Sequence, residues 1–465
     1  MKILNAIKAP FKIFSRDVDM LDGKITPSVI IYLIPLIFTN LLQSLFNAVD
    51  ITMLGNLAGS QSVAEVAATS NIIALFVQTV IAMSVGTSIL LSYAMGSADS
   101  ERTKRIIKVS YTFSLIAGVS IAVIGIILAR PMLKLIDCPD DVIDGATSYI
   151  QIYFLAVPGI MFYNYMSHVL RISGDSRRPF VYLTIAGVTN VVLNYIFVSI
   201  FGMATVGVAL ATAISSYLSA VLLFIRLLKI GGDLKLSPLG FSLDGKTLKR
   251  IVLLGVPSGI STAAFAIPNL MINSAVNSFG ASAIAGNGAN GIVNNLMIFA
   301  VSGAVGITTA AFVGKNIGAN NGKRASRIIG SIMLVTFVLM GVMTVFGLVF
   351  AREIISIVIP DDPVGIEFGV MANKFVMSVA VLSGFMNVCG GVLNALGKTG
   401  VNMTINLICT CGLRFVWMLT IYKLFPTAEM LYLCFTVTWI ICCLVQMATV
   451  WYMWRRYRKG SLHAD

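Results

Sequence analysis

Four polar residues in one apolar stretch, Asn40, Gln43, Asn47 and Asp50, are spaced by three, four and three residues. On an α-helix those steps keep all four side chains on one face. The surrounding residues are mostly Leu, Ile, Phe and Val, so the helix is apolar except for one stripe that ends in one carboxylate. An ionisable group inside an apolar span costs about 2.5–3.5 kcal/mol on insertion scales and so faces a cavity or a partner. A stripe of this kind suits reversible binding of a small cation. One candidate is a proton, because burial of a carboxylate favours its neutral acid. The other is sodium, because carboxylate, amide and hydroxyl oxygens are hard ligands. The competing reading is interhelical hydrogen bonding that ties a bundle together.

Other polar groups recur at helical spacing: Asn164 and His168, Asn190 and Asn194, then Thr212, Ser215 and Ser216. Later come Asn269, Asn273 and Asn277, then Asn287, Asn290 and Asn294, with no carboxylate among them. His168, three residues before Arg171, reads as a structural residue near the headgroups. Pro35 lies fifteen residues before Asp50 and reads as a hinge, since a mid-helix proline removes one backbone bond and permits a bend. Gln43, Phe46, Asn47, Asn164, Met161 and Met166 are candidates for substrate contact, because methionines and aromatic rings beside polar stripes make adaptable surfaces for planar cations. Phe76, Tyr163, Tyr195, Met271 and Met297 belong to the same class.

The elements that position these residues follow from composition. Hydrophobic residues make up 57% of the 465-residue chain and charged residues only 11%, with a mean hydropathy of +0.90. Soluble domains carry about 25% charged residues, so most of this surface has lipid for its solvent. Apolar runs of the length that crosses a bilayer, about 20 residues, recur throughout. Twelve spans are expected, at 27–54, 62–96, 106–129, 145–171, 179–201, 205–229, 248–279, 284–315, 326–350, 366–395, 400–423 and 428–454. Only helices satisfy every backbone group in such segments, and the alternation of a membrane barrel is absent. The fold class is therefore an all-α integral membrane protein.

Of the 33 Lys and Arg residues, 27 fall at the termini or in the loops after spans 2, 4, 6, 8 and 10. The positive-inside bias then places both termini in the cytoplasm, with the chain in the cell membrane. The net charge of +13 is an orientation signal and not a nucleic-acid footprint. Residues 1–24 are basic and broken by charge, with no early apolar core, so no cleavable signal is expected. The seven cysteines form no CxxC pair and only two histidines occur, so neither a metal site nor a cofactor is expected.

The sequence is internally duplicated. The offset from Pro35 to Pro257 is the same as that from GSADSERTKRII at Gly96 to GANNGKRASRII at Gly318. FYNYMSHVLRISGDS from Phe162 and FMNVCGGVLNALGKT from Phe385 repeat it to within a single position. The expected organisation is an interfacial segment 1–26, a first six-helix lobe 27–229, a linker 230–247, a second lobe 248–454 and a tail 455–465. Parallel repeats of this kind recur in secondary transporters, with the substrate path between the halves.

Over essentially its whole length the chain resembles the multidrug and toxic compound extrusion (MATE) family. The resemblance rests on Pro35, Asn47 and Asp50, on the run from Arg171 to Pro179, on Asn190 and Asn194, and on GKNIGANNGKRA from Gly314 to Ala325. It implies two pseudo-symmetric lobes around a central cleft and export of small amphipathic, often cationic compounds, driven by protons or sodium. The chain looks closer to the DinF-like branch, in which a first-lobe aspartate carries coupling. By position Asp50 matches that aspartate, and Gln43, Asn190 and Thr212 match its polar surroundings. Phe46 stands where relatives often have Tyr, and Asn194 where several have a second Asp. The acidic residues that mark helices 7 and 10 of the NorM-like branch have no clear counterpart.

The reading is a monomeric antiporter, coupled through Asp50 with Asn190, Asn194 and Thr212. Protons are favoured, and sodium at Asp50, Asn190 and Asn194 is the alternative. A flippase for lipid-linked saccharides shares the plan but needs basic residues to hold pyrophosphate, and the spans offer only Arg414. No HExxH, GxSxG or P-loop occurs, so an enzyme is not expected.

Overall fold

The computed structural model describes residues 17–460, without the side chains of Asn47, Ile51, Ser60 and Asn71. The first sixteen residues of the expected interfacial segment and the last five of the tail lie outside the described residues. Among the described residues, eleven helices are long and apolar enough to cross a membrane: α1 (Ile25–Gly59), α2 (Ile72–Gly96), α3 (Ser100–Leu135), α4 (Ile143–Ser173), α5 (Arg177–Ile200), α6 (Ala204–Lys229), α7 (Gly245–Asn277), α8 (Ala281–Gly318), α9 (Gly322–Val349), α11 (Thr399–Leu424) and α12 (Ala428–Arg458). A bent pair, Pro363–Met377 and Ala380–Ala395, makes the twelfth span, α10. The sequence suggested one span at 366–395, and the two halves of α10 meet within it at 45°. No proline causes this bend. Ser378 Oγ bonds back to the Phe375 carbonyl at 3.0 Å and competes with the helix ladder there.

The duplication extends to backbone detail. Asp99 caps α3 by accepting from the Arg102 N–H at 3.0 Å, and Asn321 caps α9 by accepting from the Arg324 N–H at 3.1 Å. The preceding residues, Ala98 and Asn320, take left-handed φ angles of 54° and 55°. Each pair stands at the same offset as Pro35 and Pro257.

By packing, the described residues form two compact units. One contains Asp17, Val18 and Leu41–Gly259, and the other contains Asp19–Asn40 and residues 260–460. The first half of α1 therefore packs in the second unit and its continuation in the first, while α7 does the reverse. Within the first unit, α4 packs against α3 and α6, and α5 against α6. The second unit repeats this with α10 against α9, α12 and α8. In the first unit α7 approaches α2 at glycines: a Cβ at Gly86 would overlap the Ile251 carbonyl oxygen, and one at Gly255 the Met83 carbonyl oxygen.

Candidate functional site

The polar stripe of α1 divides between the two units. Asn40 donates to the Ala300 carbonyl at 2.9 Å within the second unit. Gln43, Phe46 and Asp50 line a cavity of about 200 Å³ inside the first unit. The side chain of Asn47 lies outside the described residues. α1 runs through Pro35 without leaving helical geometry, and its break comes later, at Gly59 with φ 84°. Thr39 Oγ1 bonds back to the Pro35 carbonyl at 2.7 Å.

Asp50 is held by α5. The Asn194 amide nitrogen donates to Asp50 Oδ1 at 2.5 Å, and Asn194 itself is fully buried. The amide orientation that satisfies Asn190 directs its nitrogen to the same Asp50 oxygen at 2.9 Å, while its oxygen accepts from the Thr212 backbone N–H at 3.3 Å. Two amides one turn apart on α5 thus face one carboxylate on α1, and α6 braces the arrangement. Directly after Asn194 the last turn of α5 widens into a π-helix, Ile196–Ile200, a form often found at functional sites. No Lys or Arg among the described residues forms an ion pair with Asp50. Tyr149 and Tyr153 of α4 lie within Coulombic reach of it.

Asn164, Asn190, Thr212, Ser215 and Ser216 also line the cavity. Asn194 does not: it stands behind the wall and holds Asp50. Met161 and Met166, candidates for substrate contact, are both buried and absent from the lining, which corrects their placement. The face of α4 that meets the cavity carries Ile160, Tyr163 and Asn164. Met166, two residues past Asn164, points about 200° away around a 3.6-residue helix, and Met161 packs into the core beside that face. Phe46 packs on the α5 backbone at Gly187, where any Cβ would overlap its ring.

Gln78 and Tyr153 line the cavity without having been singled out in the sequence. Gln78 carried a signal, as a lone amide in the apolar run 72–83. The second unit holds a separate amide network, also missed. Gln446 donates to Asn406 Oδ1 at 3.0 Å and to Asn402 Oδ1 at 3.3 Å, and Asn406 reaches Ser261 Oγ at 3.3 Å. Arg414, buried on α11, stacks over Phe435 at 4.1 Å and donates to Thr438 Oγ1 at 3.4 Å.

The MatE family model matches the chain twice, at residues 35–196 and 257–419, so the two matches begin at the equivalent prolines of the repeat, Pro35 and Pro257. The probable multidrug resistance protein YoeA of Bacillus subtilis (strain 168) is 30% identical over 349 residues, covering 72% of this chain and 74% of that protein. A second protein of that organism, the probable multidrug resistance protein YpnP, is 27% identical and covers 85% of this chain and 88% of its own. Among solved structures, an outward-facing multidrug resistance MATE family transporter superposes with a TM-score of 0.89 at 19% identity, covering 96% of this chain and 99% of that one. With the family model present in both halves and a relative at 30% identity, the chain belongs to the MatE family.

Proposed function

We propose that this multi-pass membrane protein exports small amphipathic, often cationic compounds by alternating access, in exchange for protons carried on Asp50. It would act as a monomer in the cell membrane with both termini in the cytoplasm. As a transporter it is not an enzyme.

The supporting observation is the placement of Asp50, a lone carboxylate on the wall of a polar and aromatic cavity, held by two amides. Ionised, Asp50 accepts from Asn194 and Asn190. Once protonated on its other oxygen, the acid still accepts from both amides, but through neutral bonds worth about 0.5–1.5 kcal/mol where charge-assisted ones are worth about 1.5–3. Proton binding on α1 thereby loosens its tie to α5. The same geometry supports protons: Asp50 is the one carboxylate among the residues that line the cavity, and Asn194 turns toward it an N–H, which cannot coordinate a cation. The Phe46, Tyr153 and Tyr163 rings on the wall suit a planar cation.

The test uses purified protein in liposomes with ethidium as cargo and with pH and sodium gradients imposed one at a time. Uptake that follows the pH gradient and ignores sodium is expected. Uptake driven by sodium at equal pH overturns proton coupling.

A further inference from the structure

Beyond the cavity, the first unit carries one buried imidazole among the described residues, and the proposed coupling does not use it. His168 lies one turn past Asn164 on α4, with 5% of its surface exposed, and residues four apart share a helix face. Its Nε2 stands 3.0 Å from Ser84 Oγ. Ser84 sits where one helical run of α2 gives way to the next, and its hydroxyl lies 2.6 Å from the Ile81 carbonyl oxygen. A carbonyl only accepts, so the single hydroxyl proton of Ser84 is committed to Ile81. Ser84 then has only lone pairs to offer the ring, so Nε2 must carry a hydrogen. That fixes the tautomer and leaves Nδ1 as the bare, basic nitrogen.

Nδ1 is buried and has no hydrogen-bond partner among the described residues. A buried acceptor left open is uncommon and costs about 1–3 kcal/mol, so a donor belongs at this position. The approach to it starts at the cavity. Ile81 and Asn164, one turn before Ser84 and His168 on their respective helices, both line the space that holds Asp50. The open nitrogen therefore lies about one turn beyond the cavity wall, toward the end of α4 that carries Arg171. Arg171 is the charge that acts on the ring. α2 presents Ser84, and Tyr163 on α4 is tied to the Pro179 carbonyl at 2.7 Å and to Arg171. No carboxylate pairs with His168 among the described residues. The guanidinium repels a resident imidazolium, which suits a ring that hands a proton on and does not store it.

We propose that His168 is the proton-exit relay of the first unit, a role that rests on Asp50 exchanging protons. The O–H bond of the Asp50 acid breaks, and water in the cavity carries the proton to Nδ1, where an N–H bond forms. The ring is then briefly an imidazolium. It returns to its neutral Nε2–H form when Nδ1 gives its proton to water on the Arg171 side. No electrons change hands.

The test compares two measurements on full-length protein in liposomes with ethidium as cargo. One is uptake driven by a pH gradient. The other is ethidium self-exchange at equal pH, which turns the carrier over without net proton release. For His168→Gln, gradient-driven uptake should fall by roughly tenfold or more, since positioned acid–base groups contribute about 10²–10⁴ where proton transfer limits, while self-exchange should keep the wild-type rate. Ser84→Ala, which frees Nε2, should show a smaller loss of the same kind, and it carries the test if His168→Gln fails to reconstitute. Normal gradient-driven uptake in the variant, or equal slowing of both processes, overturns the relay. Gradient-driven uptake that survives Asp50→Asn overturns the parent reading. Uptake abolished by Asp50→Asn but intact in His168→Gln overturns the relay alone.

Discussion

Placing a methyl group at Gly187 probes the cavity wall most sharply. An added Cβ would fall inside contact distance of Cζ, Cε2 and Cδ2 of Phe46, whereas non-bonded carbons rest about 3.5–4.0 Å apart. The α5 backbone is fixed by its own helix, so the ring must move. Phe46 and Gly187 both line the cavity, whose volume is only about 200 Å³, and a displaced phenyl ring takes a large share of that space. Cargo that uses the cavity must push the displaced ring back against the methyl, and where it thereby restores an overpacking of about 1–3 kcal/mol its binding weakens roughly 5- to 150-fold, at about 1.4 kcal/mol per tenfold. The assay is ethidium binding to purified protein by fluorescence anisotropy, run as a double-mutant cycle with Gly187→Ala and Phe46→Ala. In the Phe46→Ala background the added methyl meets no ring, so Gly187→Ala should have little effect there. The coupling energy should therefore nearly equal the whole single-mutant effect. Additivity within about 0.5 kcal/mol would refute both the ring–backbone contact and the use of this cavity by cargo.

Asp50→Asn should abolish gradient-driven uptake yet leave a folded protein. The new amide oxygen still accepts from Asn194 and Asn190, and charge-assisted bonds of about 1.5–3 kcal/mol give way to neutral ones of about 0.5–1.5, a loss offset by no longer burying a charge. A melting temperature near wild type with no pH-driven transport is the expected pair of results. Gly255→Ala should lower the melting temperature and the yield of folded protein, because its Cβ would overlap the Met83 carbonyl oxygen and backbone has little room to give. In the 6–7 connection, bonds from the Thr247 hydroxyl and backbone N–H hold Asp244 below its usual value of 3.8. Because the folded value is depressed, its contribution to the start of α7 is present above about pH 4 and fades as pH falls below that. Hydrogen-exchange protection at residues 245–249, taken relative to the intrinsic rate at each pH, should therefore fall with acid in the wild type and show no such dependence in Asp244→Asn.

Much of the fold was legible because membrane spanning is a one-dimensional constraint. Apolar runs and backbone satisfaction dictate helices, and a nearly constant offset between the halves dictates matching structure down to the caps at Asp99 and Asn321. The carboxylate and its amides were legible through spacing, since steps of three and four name one face. What stayed hidden depends on contacts distant in sequence. The bend of α10 has no proline to announce it. The exchange of half-helices at α1 and α7 is decided by which neighbours each half meets. Met161 and Met166 have the chemistry of a binding surface, but rotation about α4 turned them into the core. Asn194 and Asn190 share a stripe, yet one lines the cavity and the other stands behind it, a difference that only packing depth decides.

The duplicated scaffold does not carry duplicated chemistry, and the repeat offset shows why. The step that takes Pro35 to Pro257 takes Asp50 to Ile272, and the step one residue longer that takes Phe162 to Phe385 takes Asn190 and Asn194 to Leu413 and Trp417. Not only is the carboxylate absent from the second copy, but both of its donors are absent too. The three changes are consistent with one another: a carboxylate at Ile272, which is 3% exposed, would meet no amide at the positions that serve Asp50, and an ionised group left so in a span costs about 2.5–3.5 kcal/mol. Conversely, amides at Leu413 and Trp417 would have no acid to hold. The second copy has used its polar residues elsewhere, in the Gln446, Asn402 and Asn406 network, whose members are all neutral. A neutral network keeps its charge when pH changes, whereas a carboxylate does not. The division of polar chemistry between the units is therefore also a division of labour: the first can respond to a proton, and the second can tie its helices together whatever the proton does.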